Sequence, residues 1–239
     1  MFRSAVTYST FALSLLFLSP AMWRMGGKIK RSPENAQAAP VHRYTSWWAR
    51  LLARTCGARV HVTGLENIPK EGPVLFVAKH QSDFDIVVFL MTCPRPIGFV
   101  AKMELLKIPL LRTWMKHMRC VFMDRKDIRQ SMKTILEAID ILKSGHSMVL
   151  FPEGTRSKAE EMLPFKAGAF KLATKTNAAT VPVTISGSYK IIEENHYKIT
   201  PADIYVTFHP PINVEALDAE QLAALPQTVE DRIREGLKG

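Results

Sequence analysis

Seven short apolar runs, at residues 60–63, 74–78, 98–101, 120–123, 148–151, 180–185 and 204–208, constrain this chain more than any other feature. Each is too short for a core helix, and most are rich in Val, Ile and Phe, so they read as buried strands. The segments between them carry helical spacing. Between the fourth and fifth runs, Ile128, Met132, Ile135, Leu136, Ile139 and Leu142 recur three and four apart, predicting a helix whose apolar stripe meets the sheet. Gly145 follows where a left-handed cap is expected. Strands alternating with helices predict an α/β domain with a mainly parallel mixed sheet of about seven strands, flanked by helices.

Chemistry concentrates where the predicted strands end. His80-Gln81-Ser82-Asp83-Phe84-Asp85 follows the second run, and Phe151-Pro152-Glu153-Gly154-Thr155-Arg156-Ser157 begins at the end of the fifth. His80 and Asp85 would point about 140° apart on one continuous helix, and to opposite sides of a strand. They can meet only across a strand-to-helix turn, where the carboxylate would hold one ring nitrogen and leave the other to accept a proton. The same residues fit a second reading. Ser82-x-x-Asp85 is a capping box, in which Asp85 satisfies backbone donors and His80 is incidental. In the second segment Pro152 and Gly154 force a sharp turn from which Arg156 can present a planar fork to a phosphate. Arg125 follows the fourth run, so three basic or titratable residues follow strand ends, where parallel α/β sheets bind ligands. Gly145-His146-Ser147 looks like a hydrolase elbow, but Ser147 precedes its strand, whereas an elbow serine follows one.

The N-terminus points to a membrane. Residues 5–22 carry no charge, although Ser, Thr and Pro20 dilute them, and the length is borderline for a span of about 20 apolar residues. One basic residue, Arg3, precedes them, whereas Arg24, Lys28, Lys30 and Arg31 follow, an asymmetry that keeps the following domain in the cytoplasm. A cleaved signal peptide would have the opposite balance, despite the small-x-small Ser19-Pro20-Ala21. Residues 1–31 are therefore expected to be a retained membrane-associating helix, 32–40 a linker and 41–239 the functional domain. A helix expected over 44–55 carries Trp47 and Trp48 beside arginines, which suits either a bilayer interface or docking on the core. The formal charge of +10 indicates an acidic partner surface. Cys56, Cys93 and Cys120 form no C-x-x-C pair, which argues against a zinc site or a disulfide framework.

The block around His80 and Asp85, Phe122-Met123-Asp124-Arg125, the Glu153-Gly154-Thr155-Arg156 block and Val181-Pro182-Val183, in that order, resemble the four motifs of glycerolipid acyltransferases. The match is to the bacterial 1-acyl-glycerol-3-phosphate acyltransferase (lysophosphatidic acid acyltransferase) type, over residues 47–211. The resemblance implies that His80 is a general base oriented by Asp85. It further implies that Arg125, Glu153, Gly154, Thr155 and Arg156 build the acceptor site, with Lys102 as a second phosphate ligand, and that Val181 and Pro182 line the acyl side. Acyl-CoA or acyl-carrier protein would be the co-substrate, with no metal or other cofactor. A lysophospholipid and an anionic membrane surface would be the partners, with no nucleic acid, and the inner (cytoplasmic) membrane the location, the catalytic domain on its cytoplasmic face. A related acyltransferase for another lysolipid, such as a lyso-ornithine lipid, and a non-catalytic membrane or nucleic-acid binder are the rival readings. Three residues depart from the family pattern: Lys79 stands where many members have Asn, and Arg112 and Arg119 where glycine is usual.

Overall fold

All seven apolar runs form strands of one sheet, in the order β1-β7-β6-β2-β5-β3-β4. A computed structural model describes residues 1–29 and 38–237. From the N-terminus the elements are α1 (Phe2–Phe17), α2 (Ser19–Ile29), α3 (Ala38–Cys56), β1 (Arg59–Thr63), β2 (Val74–Ala78), α4 (Phe84–Thr92), β3 (Ile97–Lys102) and α5 (Pro109–His117). Then come β4 (Val121–Met123), α6 (Ile128–Lys143), β5 (Ser147–Leu150), α7 (Lys171–Thr176), β6 (Ala179–Ser186), α8 (Tyr189–Ile192), β7 (Asp203–Phe208) and α9 (Ala219–Gly236). Neighbouring strands run parallel except β6 and β7, so the sheet is mixed and mainly parallel, as expected.

Side chains alternate across β2, and both of its faces are covered. Val74, Phe76 and Ala78 pack in a core with α3, α4 and α5, while Leu75 and Val77 pack in a second core with α6, α7 and α9. A strand apolar at every position is the sequence signature of this sandwiching. Burying a Phe or Leu side chain contributes roughly 1.5–3 kcal/mol, so the strand that leads into His80 is also among the most firmly held.

The α6 stripe is rotated from its expected position. Ile139 and Leu142 are buried, but Ile128, Met132 and Leu136 are 80%, 50% and 59% exposed. Polar pins cause the rotation: Gln130 Nε2 and Thr134 Oγ1 both donate to the Phe122 carbonyl, at 2.8 and 2.9 Å, drawing that helix face toward the short edge strand β4. Gly145 does follow the helix with φ +89°.

At the N-terminus, among the described residues, no single helix is long and apolar enough to cross a membrane. α1 and α2 would have to act together, bent by 42°. α1 docks on the body: Trp48 Nε1 donates to Ser14 Oγ at 2.9 Å, Tyr8 to the Tyr197 carbonyl at 2.7 Å, and Arg3 to the Thr55 carbonyl at 3.2 Å. Trp48 is thus a core residue with its ring tilted against Phe11, while Trp47 stays 47% exposed. The outer face of the pair carries Phe2, Leu13, Leu16, Phe17 and Trp23, all well exposed. Of the expected linker, residues 32–37 lie outside the described residues, and Ala38 already begins α3.

Candidate active site

β2 and β5 are neighbours in the sheet, so the loops leaving their carboxyl ends lie side by side. The two loops are hydrogen-bonded through their backbones: Ser157 N donates to the His80 carbonyl at 2.8 Å and Lys158 N to the Gln81 carbonyl at 3.1 Å. Two segments more than seventy residues apart in sequence thereby form one site.

His80 and Asp85 meet across the strand-to-helix turn. Asp85 occupies the second position of α4, where a negative charge faces the positive end of the helix. Its carboxylate is fully buried. Oδ2 accepts from His80 Nδ1 at 2.8 Å, Gln81 N at 2.8 Å and Ser82 N at 3.0 Å, and Oδ1 accepts from Ser188 Oγ at 2.5 Å. An ionised carboxylate can only accept, so Nδ1 carries the hydrogen and Nε2 holds a free lone pair. The contacts that both readings require are present together, because one carboxylate bonds the imidazole and receives the turn's amides. Phe84 N completes the cap by donating to Ser82 Oγ at 2.9 Å. The His80 ring stacks on Phe151, with centroids 4.1 Å apart, and keeps 14% of its side chain exposed.

The second loop contributes through both backbone and side chains. Gly154 has φ +73°, a backbone conformation that strains any residue with a Cβ, so the turn favours glycine. Thr155 is exposed beside it. Glu153 points inward: its Oε1 accepts from His80 N at 3.0 Å, while Oε2 is buried without a hydrogen-bond partner. Burial pushes this carboxyl up from its ordinary 4.5 to about 7, against opposing pulls from the His80 and Leu163 backbone donors and Lys79. The protonated form is therefore favoured by folding, a contribution full below about pH 4.5 and lost as pH rises through about 7. Glu153→Gln keeps a carbonyl for the His80 amide and never ionises. It is expected to melt above the wild type at pH 8 and close to it at pH 4.5. Melting curves across this range check the prediction, and a gap independent of pH contradicts it.

Arg156 reaches the mouth of the site but is not bare. Its Nη1 donates to Asp83 Oδ2 and, at 3.2 Å, to Glu193 Oε1. Glu193 has only 2% of its side chain exposed, and Asp83 has 63%. Lys79 is wholly buried behind the loop, its ammonium donating to the Glu160 carbonyl, and burial lowers it to about 8. Lys102 ends β3, and Arg125 follows the edge strand β4. Lys102 pairs with Glu104 at 2.9 Å, both exposed, and the charge of Glu104 also acts on Arg125. Val181 and Pro182 are buried inside β6, opposite Phe76 and Val77 of β2. The discarded Ser147 is structural, its Oγ accepting from Val74 N at 3.0 Å. The three cysteines are free and buried.

A family model described as Acyltransferase matches residues 59–186, more than half of the chain. The chain belongs to the acyltransferase family. Among its relatives, the 1-acyl-sn-glycerol-3-phosphate acyltransferase of Borreliella burgdorferi is 32% identical over 74% of this chain and 71% of its own length. The chloroplastic 1-acyl-sn-glycerol-3-phosphate acyltransferase of Arabidopsis thaliana is 35% identical over 67% of this chain, which spans only 45% of that longer protein. The crystal structure of the 1-acyl-sn-glycerophosphate (LPA) acyltransferase PlsC from Thermotoga maritima superposes with a TM-score of 0.86 at 27% identity, covering 99% of this chain and 94% of the other. The acyltransferase motifs read from the sequence thus belong to a matching fold. Of the departures, Arg119 is the one with a backbone reason. It sits at φ +59°, a conformation glycine adopts freely, and costs this side chain roughly 1–2 kcal/mol.

Proposed function

We propose that the protein transfers an acyl group from acyl-CoA or an acyl-carrier protein to the sn-2 hydroxyl of 1-acyl-glycerol-3-phosphate, giving phosphatidic acid in phospholipid biosynthesis. The observation that carries this reading is the buried His80–Asp85 pair, 2.8 Å apart, beside the Arg156 turn in a chain of the acyltransferase family. His80 Nε2 takes the hydroxyl proton as the oxygen attacks the thioester carbonyl. The resulting imidazolium is stabilised by Asp85, and returns its proton to the departing sulfur as the tetrahedral intermediate collapses. The acyl group passes directly between substrates, with no acyl-enzyme.

The acceptor phosphate meets Arg156. Because Nη1 is already engaged, the phosphate binds the rest of the guanidinium fork or displaces Asp83, the more exposed of its two carboxylates. A charge-assisted bond of this kind contributes roughly 1.5–3 kcal/mol, so Arg156→Ala is expected to raise the acceptor KM by about tenfold or more. Initial rates against lysophosphatidic acid concentration check this, and an unchanged KM removes Arg156 from the phosphate site. Lys102 and Arg125 act at the edge of the acceptor site through the longer range of their charge.

The exposed apolar face of α1 and α2, with Arg24 and Lys28, rests on an anionic bilayer, where each basic residue near the surface contributes about 1 kcal/mol. Substrate and product are both lipids, so the site needs that surface. The charge asymmetry around 5–22 supports the cytoplasmic leaflet of the inner membrane as that surface.

A further inference from the structure

The side chain that completes the His80–Asp85 pair belongs to none of the four motifs. β6 ends at Ser186, and Gly187 turns the chain at φ +87°, where a Cβ would stand 2.4 Å from the Asp203 carbonyl oxygen. Only glycine allows so close an approach to β7. The turn delivers Ser188 beneath the site. Ser188 is wholly buried, and its Oγ lies 2.5 Å from Asp85 Oδ1 and 3.2 Å from Gln81 Oε1. The nearer, charged oxygen takes the hydroxyl hydrogen. Gln81 is itself anchored, its Nε2 donating to the Ile185 carbonyl at 2.9 Å on the same strand.

We infer that Ser188 is a positioning residue for the acyl transfer, acting through Asp85 on His80. Three donors converge on Asp85 Oδ2, and Ser188 is the donor on Oδ1. The hydroxyl therefore sets the rotation of the carboxylate, and with it the direction of the bond to His80 Nδ1. Ser188 does not touch the reacting atoms. The inference rests on the proposed function above for its kinetic consequence and on the geometry alone for its structural one.

The loop does not depend on Ser188 for its backbone. Glu193, one turn further on, accepts from Ser82 Oγ at 2.5 Å and from Asp83 N at 3.0 Å, holding the turn from the other side. Ser188→Ala should thus leave the fold intact while freeing a buried carboxylate oxygen, an unsatisfied acceptor. The expected result is a fall in kcat of about 10- to 100-fold, with KM for acceptor and donor little changed. Ser188→Cys separates hydrogen bonding from packing, because a thiol fills the space but donates weakly. It is expected to stay impaired, and recovery of wild-type kcat in Ser188→Cys would show that Ser188 only fills volume. A second readout needs no substrate. The Nδ1 proton resonance of His80, assigned by its absence from His80→Gln, is expected to shift in both variants. An unmoved resonance overturns the inference even where kcat falls. If wild-type protein makes no phosphatidic acid, the functional reading fails, while the resonance still decides the role of Ser188.

Discussion

Replacing His80 with alanine is expected to reduce acyl transfer to lysophosphatidic acid by roughly 10³-fold or more, with the fold retained. General base catalysis of this kind contributes about 10²- to 10⁴-fold, and a free hydroxyl is a poor nucleophile without it. The fold should survive because the backbone of residue 80 keeps its bonds to Glu153 Oε1 and Ser157 N, neither of which involves the imidazole. Asp85 likewise keeps Gln81 N, Ser82 N and Ser188 Oγ as donors. The stacked face of Phe151 loses its cover, a modest cost in a partly exposed place. Radiolabelled transfer measured beside a thermal melt separates the two effects. Undiminished transfer would remove His80 from the mechanism.

Asp85→Asn is the second large effect, and it isolates the charge from the shape. An asparagine oxygen can receive the three donors that now meet at Oδ2, while its amide hydrogens face Ser188 Oγ. The serine hydroxyl is free to turn its own hydrogen to Gln81 Oε1, 3.2 Å away. Each group that now bonds Asp85 keeps a partner, so the protein should fold and melt within a few degrees of wild type. The imidazolium formed during transfer loses its counter-charge, and the rate is expected to fall by about 10²- to 10⁴-fold. Asp85→Ala is a different experiment. It leaves the Gln81 and Ser82 amides unpaired in a buried turn, each costing about 1–3 kcal/mol, and its inactivity would mix unfolding with chemistry. A fast Asp85→Asn enzyme would mean that Asp85 serves the helix cap alone.

The sheet was legible in the sequence because it is a local property. A strand buried on both faces must be apolar throughout, and Val74–Ala78 is read at its observed bounds for that reason. The stripe on α6 was legible only in part. Periodicity reports which residues share a face but not where that face points, and the bonds from Gln130 and Thr134 to the Phe122 carbonyl turn Ile128, Met132 and Leu136 outward. In the site, His80, Asp85, Glu153 and Arg156 lie in short motifs whose spacing carries meaning. Ser188 and Glu193 do not. They reach Asp85 and Asp83 from 103 and 110 residues away, through a pairing of strands that no local pattern encodes. The carboxylates around Arg156 were hidden for the same reason. The motif shows an arginine in a turn, and only the fold shows Glu193 lying against it. The N-terminal segment was legible only in part, since an uncharged run of that length fits a straight span as well as the bent, docked pair observed.

The most direct measurement is acyl transfer by the purified wild-type protein, offered lysophosphatidic acid, lyso-ornithine lipid and other lysolipids with acyl-CoA or acyl-carrier protein as donor. Phosphatidic acid acylated at sn-2 is the expected main product, with a free thiol released in equal amount. Transfer to lyso-ornithine lipid in preference to lysophosphatidic acid, or nucleic-acid binding without transfer to any lysolipid, would contradict it.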